Sequence, residues 1–189
     1  MLFLNNLFDN IFRSDEHALH FDILDVGCGR GGAAPFLKLF SNRLLGVDIH
    51  RPWLKVSEER NCYDELIQCD LNYWLPFQDK SFDISICFET LEHLEKPASV
   101  RLLDEVERVT KRLVAVTTPS YFNPADNPTR IERNPYQAHH SAWSLWDFWK
   151  RGYKVRGCGF RWGSSPPLNV LAWYLPFLAK RFFAWKMAE

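Results

Sequence analysis

A short apolar run, Phe21 to Val26, ends directly in Gly27-Cys28-Gly29-Arg30-Gly31-Gly32. No other junction constrains the chain as strongly. A run of this length suits a buried strand, and glycines behind it let the backbone turn sharply and approach a ligand closely. Pro35 fits the first turn of a helix, so Ala34–Phe40 is expected to be helical. The same alternation then continues. Leu44–Ile49, Glu65–Cys69, Phe82–Phe88, Arg112–Thr117 and Tyr153–Cys158 read as strands. Pro52–Glu59, the stretch opened by Pro97 and Ser144–Arg151 read as helices; Val100, Leu103, Val106 and Val109 recur there at three-residue steps. Such alternation predicts an α/β protein, a doubly wound and mostly parallel sheet of six or seven strands with helices on both faces. Ligands of these sheets lie beyond the carboxyl ends of the strands.

With 189 residues the chain is long enough for one domain with a full core. We expect a single domain over residues 1–165, with an amphipathic N-terminal helix (Leu4, Leu7, Phe8, Ile11, Phe12), and a basic aromatic tail over 166–189. Lys plus Arg and Asp plus Glu each number 23, and a chain of zero formal charge is a poor match for the nucleic-acid backbone. The apolar stretch Val170–Ala179 is too short for a membrane span. The N-terminus lacks the basic segment of a signal peptide. Five cysteines without a C-x-x-C pair argue for reduced thiols and a cytoplasmic protein.

Three carboxylates stand at successive strand ends: Asp25 just before the glycines, Asp48 after the second strand, Asp70 after the third. Gly27, Gly29 and Gly32 also satisfy G-x-G-x-x-G, so two cofactors compete. A dinucleotide would set its pyrophosphate on the helix N-terminus, where Asp25 would repel it. S-adenosylmethionine carries an ammonium and a sulfonium, which Asp25 would attract.

The segments ILDVGCGRGG, GVDI and CDLNYWLPFQDKSFDISICFETLEHL resemble the class I S-adenosylmethionine-dependent methyltransferases, in particular the small Rossmann-like group. The similarity covers about residues 20–120, and Asn134-Pro135-Tyr136-Gln137 adds to it. The resemblance implies that Gly27, Gly29 and Gly31 shape the loop beside the methionine part, and that Asp25 orients its amino group. It further implies that Asp48 holds the ribose hydroxyls, that Ile49 lies against the adenine and that Asp70 and Leu71 read the adenine edge. Phe88 and Glu89 would border the methyl group and the acceptor. The N-P-P-Y motif of amino methyltransferases acting on nucleic-acid bases is missing at this position.

The expected reaction moves the methyl group to an oxygen or nitrogen of a small-molecule or lipid- or glycan-linked acceptor. A base for the acceptor's proton would come from His93, His139 or His140. Each also has a plain structural reading, and no thiol or carboxylate shows metal-ligand spacing with them, so no metal is expected. The long segment Pro119–His140 reads as a lid over the acceptor. Two other functions fit the same fold: a non-catalytic cofactor- or partner-binding protein, and an NAD-binding oxidoreductase.

Charge is uneven. Residues 1–129 hold 13 basic against 20 acidic side chains, and residues 130–189 hold 10 against 3. From Lys150 onward, cations alternate with Trp173, Tyr174, Phe177, Phe182, Phe183 and Trp185. That composition fits a membrane-interface segment, and with it peripheral membrane contact. It fits also, and more simply, a tail packed on the protein's own sheet, or on a second copy in a homodimer.

Overall fold

The computed structural model describes residues 20–121, 134–160 and 166–188. The expected N-terminal helix and the centre of the expected lid lie outside these residues. The strands and helices, in chain order, are β1 (Phe21–Val26), α1 (Ala34–Leu37), β2 (Ser41–Asp48), α2 (Arg51–Glu59), β3 (Glu65–Gln68), β4 (Phe82–Phe88), α3 (Lys96–Val109), β5 (Thr110–Pro119), α4 (Leu145–Trp149), β6 (Lys154–Phe160), α5 (Pro166–Tyr174) and β7 (Ala179–Met187).

One seven-stranded sheet runs in the order β3-β2-β1-β4-β5-β7-β6. The pairs among β1 to β5 are parallel, and β7 is antiparallel to both β5 and β6. Alternation along the strands splits the core in two. Leu24, Val26, Leu45, Val47, Val114 and Val116 face one layer with Leu102, Val106 and Phe148 of α3 and α4. Ile23, Leu44, Ile84, Ile86 and Ala115 face the other with Ala34, Phe36 and Leu37 of α1. Strands covered on both faces read as continuous apolar runs, which is why FDILDV and FDISICF carry so few polar residues.

The proline positions act as expected: a proline lies in the first turn of α1, α2 and α3. Helix α4 opens on a capping box, in which Ser144 Oγ accepts from Asp147 N while Asp147 Oδ2 accepts from Ser144 N.

The basic aromatic segment packs on the protein's own sheet, one of the readings its composition left open. Residues 179–187 form strand β7, inserted between β5 and β6, and β7 pairs with β5 from Leu113↔Met187 to Pro119↔Arg181. Phe182, Phe183 and Ala184 are buried. The boundary at residue 165 therefore cuts through the sheet. The excess cations of this region meet the acids of the body. Arg151 pairs with Asp104 and Glu107, Lys186 with Glu107, and Arg181 with Glu89. These three cations make part of the charge asymmetry complementarity within one chain.

Candidate active site

A cleft of about 240 Å³ opens over the carboxyl ends of β1 to β4. Gly27 follows β1, Asp48 and Ile49 end β2, Asp70 to Asn72 follow β3, and Phe88 to Thr90 follow β4. His93 and Leu94 continue one wall, and Asn134, Tyr136 and Gln137 close the opposite side. Eight of the residues expected from the sequence thus line one space: Gly27, Asp48, Ile49, Asp70, Leu71, Phe88, Glu89 and His93.

The glycine loop folds back over β2. Val47 O accepts from Gly27 N at 2.8 Å and from Cys28 N at 3.0 Å. Gly27, Gly29 and Gly31 all adopt left-handed backbone, with φ of 74°, 56° and 71°. A Cβ on Gly27 would stand 2.2 Å from Thr90 Oγ1, whereas one on Gly32 would meet nothing within 4 Å. The third glycine of a dinucleotide fingerprint serves close helix–strand packing. Gly32 does not do this, so the operative pattern is G-x-G-x-G.

Asp48 is buried at the end of β2. Its Oδ2 accepts from Gly29 N at 2.8 Å and its Oδ1 from His50 N at 2.8 Å. Each oxygen keeps a second lone pair for a ligand hydroxyl. Burial raises the Asp48 pKa, and the two backbone donors oppose that rise. Asp70 Oδ1 accepts from both the backbone and the side chain of Asn72. Asn72 therefore orients Asp70 in the cleft.

Asp25 does not line the cleft. It lies beneath the glycine loop, and its Oδ2 accepts from Tyr63 Oη at 2.7 Å. Burial lifts its pKa to about 7; the Tyr63 hydrogen bond opposes the rise, and the Asp48 charge adds to it. Gly29 and Gly31 likewise shape the loop without lining the cleft.

Glu89 is the most strained residue of the site, with φ at 51°. Its Oε2 accepts from Arg181 Nε at 2.7 Å, and its Oε1 is buried without a partner. An orphaned carboxylate oxygen in the cleft wall fits a cofactor that brings an ammonium or a hydroxyl. Next to it Glu92 is buried and accepts from Thr118 Oγ1 at 3.2 Å. Burial, followed by the Glu89 charge, raises its pKa to about 8.

The three histidines separate. His93 lines the cleft, and its Nδ1 lies 3.1 Å from Ala138 O. A carbonyl only accepts, so Nδ1 carries the proton and Nε2 the lone pair. The His139 ring sits 5.0 Å from that of His93. His140 points away and pairs with Glu95 at 3.5 Å.

Trp53, Asn72, Thr90 and Leu94 were not singled out by the sequence. Trp53 stands five residues after Asp48 in the first turn of α2, and its place there behind a strand-end acid is the one signal that could have found it. Trp143 and Phe148 stack in the core at 5.1 Å, while Trp146 and Trp149 are exposed. None of these four lines the cleft.

Comparison with known proteins agrees with this geometry. Residues 24–115 match the family described as "Methyltransferase domain". An uncharacterized protein of Methanocaldococcus jannaschii is 27% identical over 150 residues, which is 77% of this chain and 60% of the relative. A Mycobacterium tuberculosis protein named as an S-adenosylmethionine-dependent methyltransferase is 31% identical over 101 residues, 52% of this chain and 36% of its own length. This chain therefore spans only part of the length of these curated relatives. Among solved structures, magnesium protoporphyrin IX methyltransferase of Synechocystis with bound S-adenosylmethionine superposes with a TM-score of 0.62 at 13% identity, covering 100% of this chain and 79% of that one. Over residues 24–115 the chain is thus similar to methyltransferase domains, and a relative matched at 31% identity is named as S-adenosylmethionine-dependent.

Proposed function

We propose that this protein binds S-adenosylmethionine in the cleft over β1–β4 and transfers its methyl group to an oxygen or nitrogen of a small or lipid-linked acceptor. When bound, the cofactor supplies an electrophilic methyl group on a good leaving group. The chain's residues then have to bind, orient and exclude water. The glycine loop brings backbone close, Asp48 presents lone pairs to hydroxyls, and Asp70 offers an acceptor to an amino group. Ile49 and Leu71 supply apolar faces on either side. Glu89 and Phe88 border the remaining space, and His93 Nε2 carries a lone pair toward which an acceptor proton can move.

The observation that carries this reading is the gathering of Asp48, Asp70 and Glu89 in one cleft behind three left-handed glycines. Calorimetric titration tests it. S-adenosylhomocysteine should bind with one site per chain, and NAD should not bind. NAD binding in the absence of S-adenosylhomocysteine binding would overturn the reading in favour of an oxidoreductase.

A lipid-linked acceptor is favoured by one further feature. Val170, Leu171, Tyr174, Leu175 and Phe177 are exposed on and just after α5. Helix α5 joins the end of β6 to the start of β7, and Arg181 near that start reaches Glu89. The apolar face and the cleft thus share one edge of the sheet, where an interfacial acceptor would enter. Serine at Leu171, Tyr174 and Phe177 should reduce attachment to vesicles while sparing S-adenosylhomocysteine binding. A wild-type protein that ignores both anionic and neutral vesicles would remove the membrane contact.

A further inference from the structure

We infer that Glu92, His93 and His139 form a binding site for a divalent first-row transition-metal ion at the acceptor end of the cleft. One ligand atom from each of these side chains lies within 4.8 Å of the other two. An ion about 2.0–2.2 Å from each donor needs the donors at roughly 3–3.5 Å from one another, a gap that small side-chain rotations close.

The surroundings already hold the ligands in place. The backbone around His139 is fastened to the turn that carries the other two. Glu92 O accepts from His140 N at 2.8 Å and from Ser141 N at 3.2 Å, and Leu91 O accepts from Ser141 Oγ at 3.1 Å. His93 donates Nδ1–H to Ala138 O at 3.1 Å, which leaves Nε2 as its coordinating atom; with an ion bound, that lone pair no longer takes the acceptor proton, and the ion itself makes a bound hydroxyl more acidic. Thr118 Oγ1 donates to Glu92 Oε2. A backbone carbonyl behind a histidine and a hydroxyl behind a carboxylate are the outer contacts that orient metal ligands. Glu89, whose free oxygen is left to the cofactor, adds negative charge beside Glu92. That charge favours a cation held by Glu92 and the two histidines.

Two imidazole nitrogens and one carboxylate oxygen suit zinc(II), cobalt(II), iron(II) or manganese(II) better than calcium or magnesium, which take mainly oxygen. Three protein ligands leave a position open. His93 lines the cleft, so that position faces the acceptor space. A hydroxyl or phenol oxygen of the acceptor would take it. This role rests on the methyltransfer reading above; binding of the ion itself does not.

The test is titration with cobalt(II), followed by its visible absorption and by calorimetry. One equivalent should bind and be displaced by zinc(II). His139→Ala, at a partly exposed position, and Glu92→Gln should each weaken cobalt binding roughly tenfold or more. His140→Ala, which removes only the outward-facing neighbour, should leave it within twofold. S-adenosylhomocysteine binding, measured on the same samples, should survive in His139→Ala and shows that the variant is folded. No cobalt binding to the wild type, or equal binding in wild type and His139→Ala, overturns the site. Loss of S-adenosylhomocysteine binding in the wild type would instead overturn the cofactor reading.

Discussion

Arg181 Nε donates to Glu89 Oε2 at 2.7 Å, which joins the last strand of the sheet to the turn after β4 across 92 residues. Glu89 holds a left-handed backbone, and the contact fixes which of its oxygens remains for a ligand. The pair is half exposed, so it contributes less than about 1 kcal/mol to stability. We expect Arg181→Gln to leave the thermal midpoint nearly unchanged and to weaken S-adenosylhomocysteine binding about tenfold, equivalent to about 1.4 kcal/mol. Calorimetry beside a thermal melt measures both. An unchanged affinity would show that Glu89 needs no tether.

The Asp48 carboxylate accepts from two backbone amides and faces the cleft. Asp48→Ala leaves Gly29 N and His50 N without their acceptor and should cost about 1–3 kcal/mol of cofactor binding. Asp48→Asn should recover part of that loss.

The two glycines at either end of the loop should behave oppositely. Gly27→Ala places a Cβ against Thr90 in a backbone conformation that disfavours it, while Gly32→Ala meets open space. Gly27→Ala should abolish detectable S-adenosylhomocysteine binding, and Gly32→Ala should leave it within twofold. Equal affinities in the two variants would contradict the G-x-G-x-G reading. Gly29→Val should also be severe, from its φ of 56° and from the Trp53 ring 3.4 Å away.

These sites show what local sequence can reveal. The strand limits at Phe21–Val26 and Phe82–Phe88 were legible because both segments are apolar and end in sharp turns. Asp48 and Asp70 were legible because parallel topology puts every strand end on one side. Strand β7 was not. Its cations and aromatics resemble an interfacial segment when read alone, and their partners, Glu89 and Glu107, lie far back in the chain. The approach of His139 to His93 was hidden for the same reason, since 46 residues separate them. Asp25 was read for its charge, yet burial under the glycine loop gives it a different chemistry from that of an exposed acid.

That burial has a pH signature. The Asp25 pKa is about 7 in the folded protein, above the ordinary 3.8. The folded state therefore holds a proton that the unfolded chain has released. Its contribution is fully present below pH 3.8 and is lost progressively as pH rises to about 7. Asp25→Asn should flatten that part of the stability profile and raise the melting temperature at pH 8. Denaturant unfolding of both proteins between pH 5 and 8 checks the slope; parallel profiles would mean that Asp25 is ionised in the fold.

Because β7 lies between β5 and β6, truncation after Pro167 removes the partner of both. It would leave β5 with an unpaired edge and expose the apolar residues that Phe182 and Phe183 cover. Such a chain should aggregate or lose its cooperative melt rather than act as a soluble core. A point variant separates this from mere loss of length. Gly157 on β6 lies under α5, and a Cβ there would stand 2.1 Å from Ala172 O. Backbone cannot yield as a side chain can, so Gly157→Val should destabilise by about 1–3 kcal/mol or more. Gly152→Ala tests a different cost, since its Cβ would meet only Lys186 Cε at 3.8 Å while its φ of 81° remains strained. Its penalty should be smaller, about 1 kcal/mol. Chemical denaturation of the three proteins gives the order. A truncated chain that melts cooperatively, or a Gly157→Val variant as stable as wild type, would show that the sheet does not depend on this insertion.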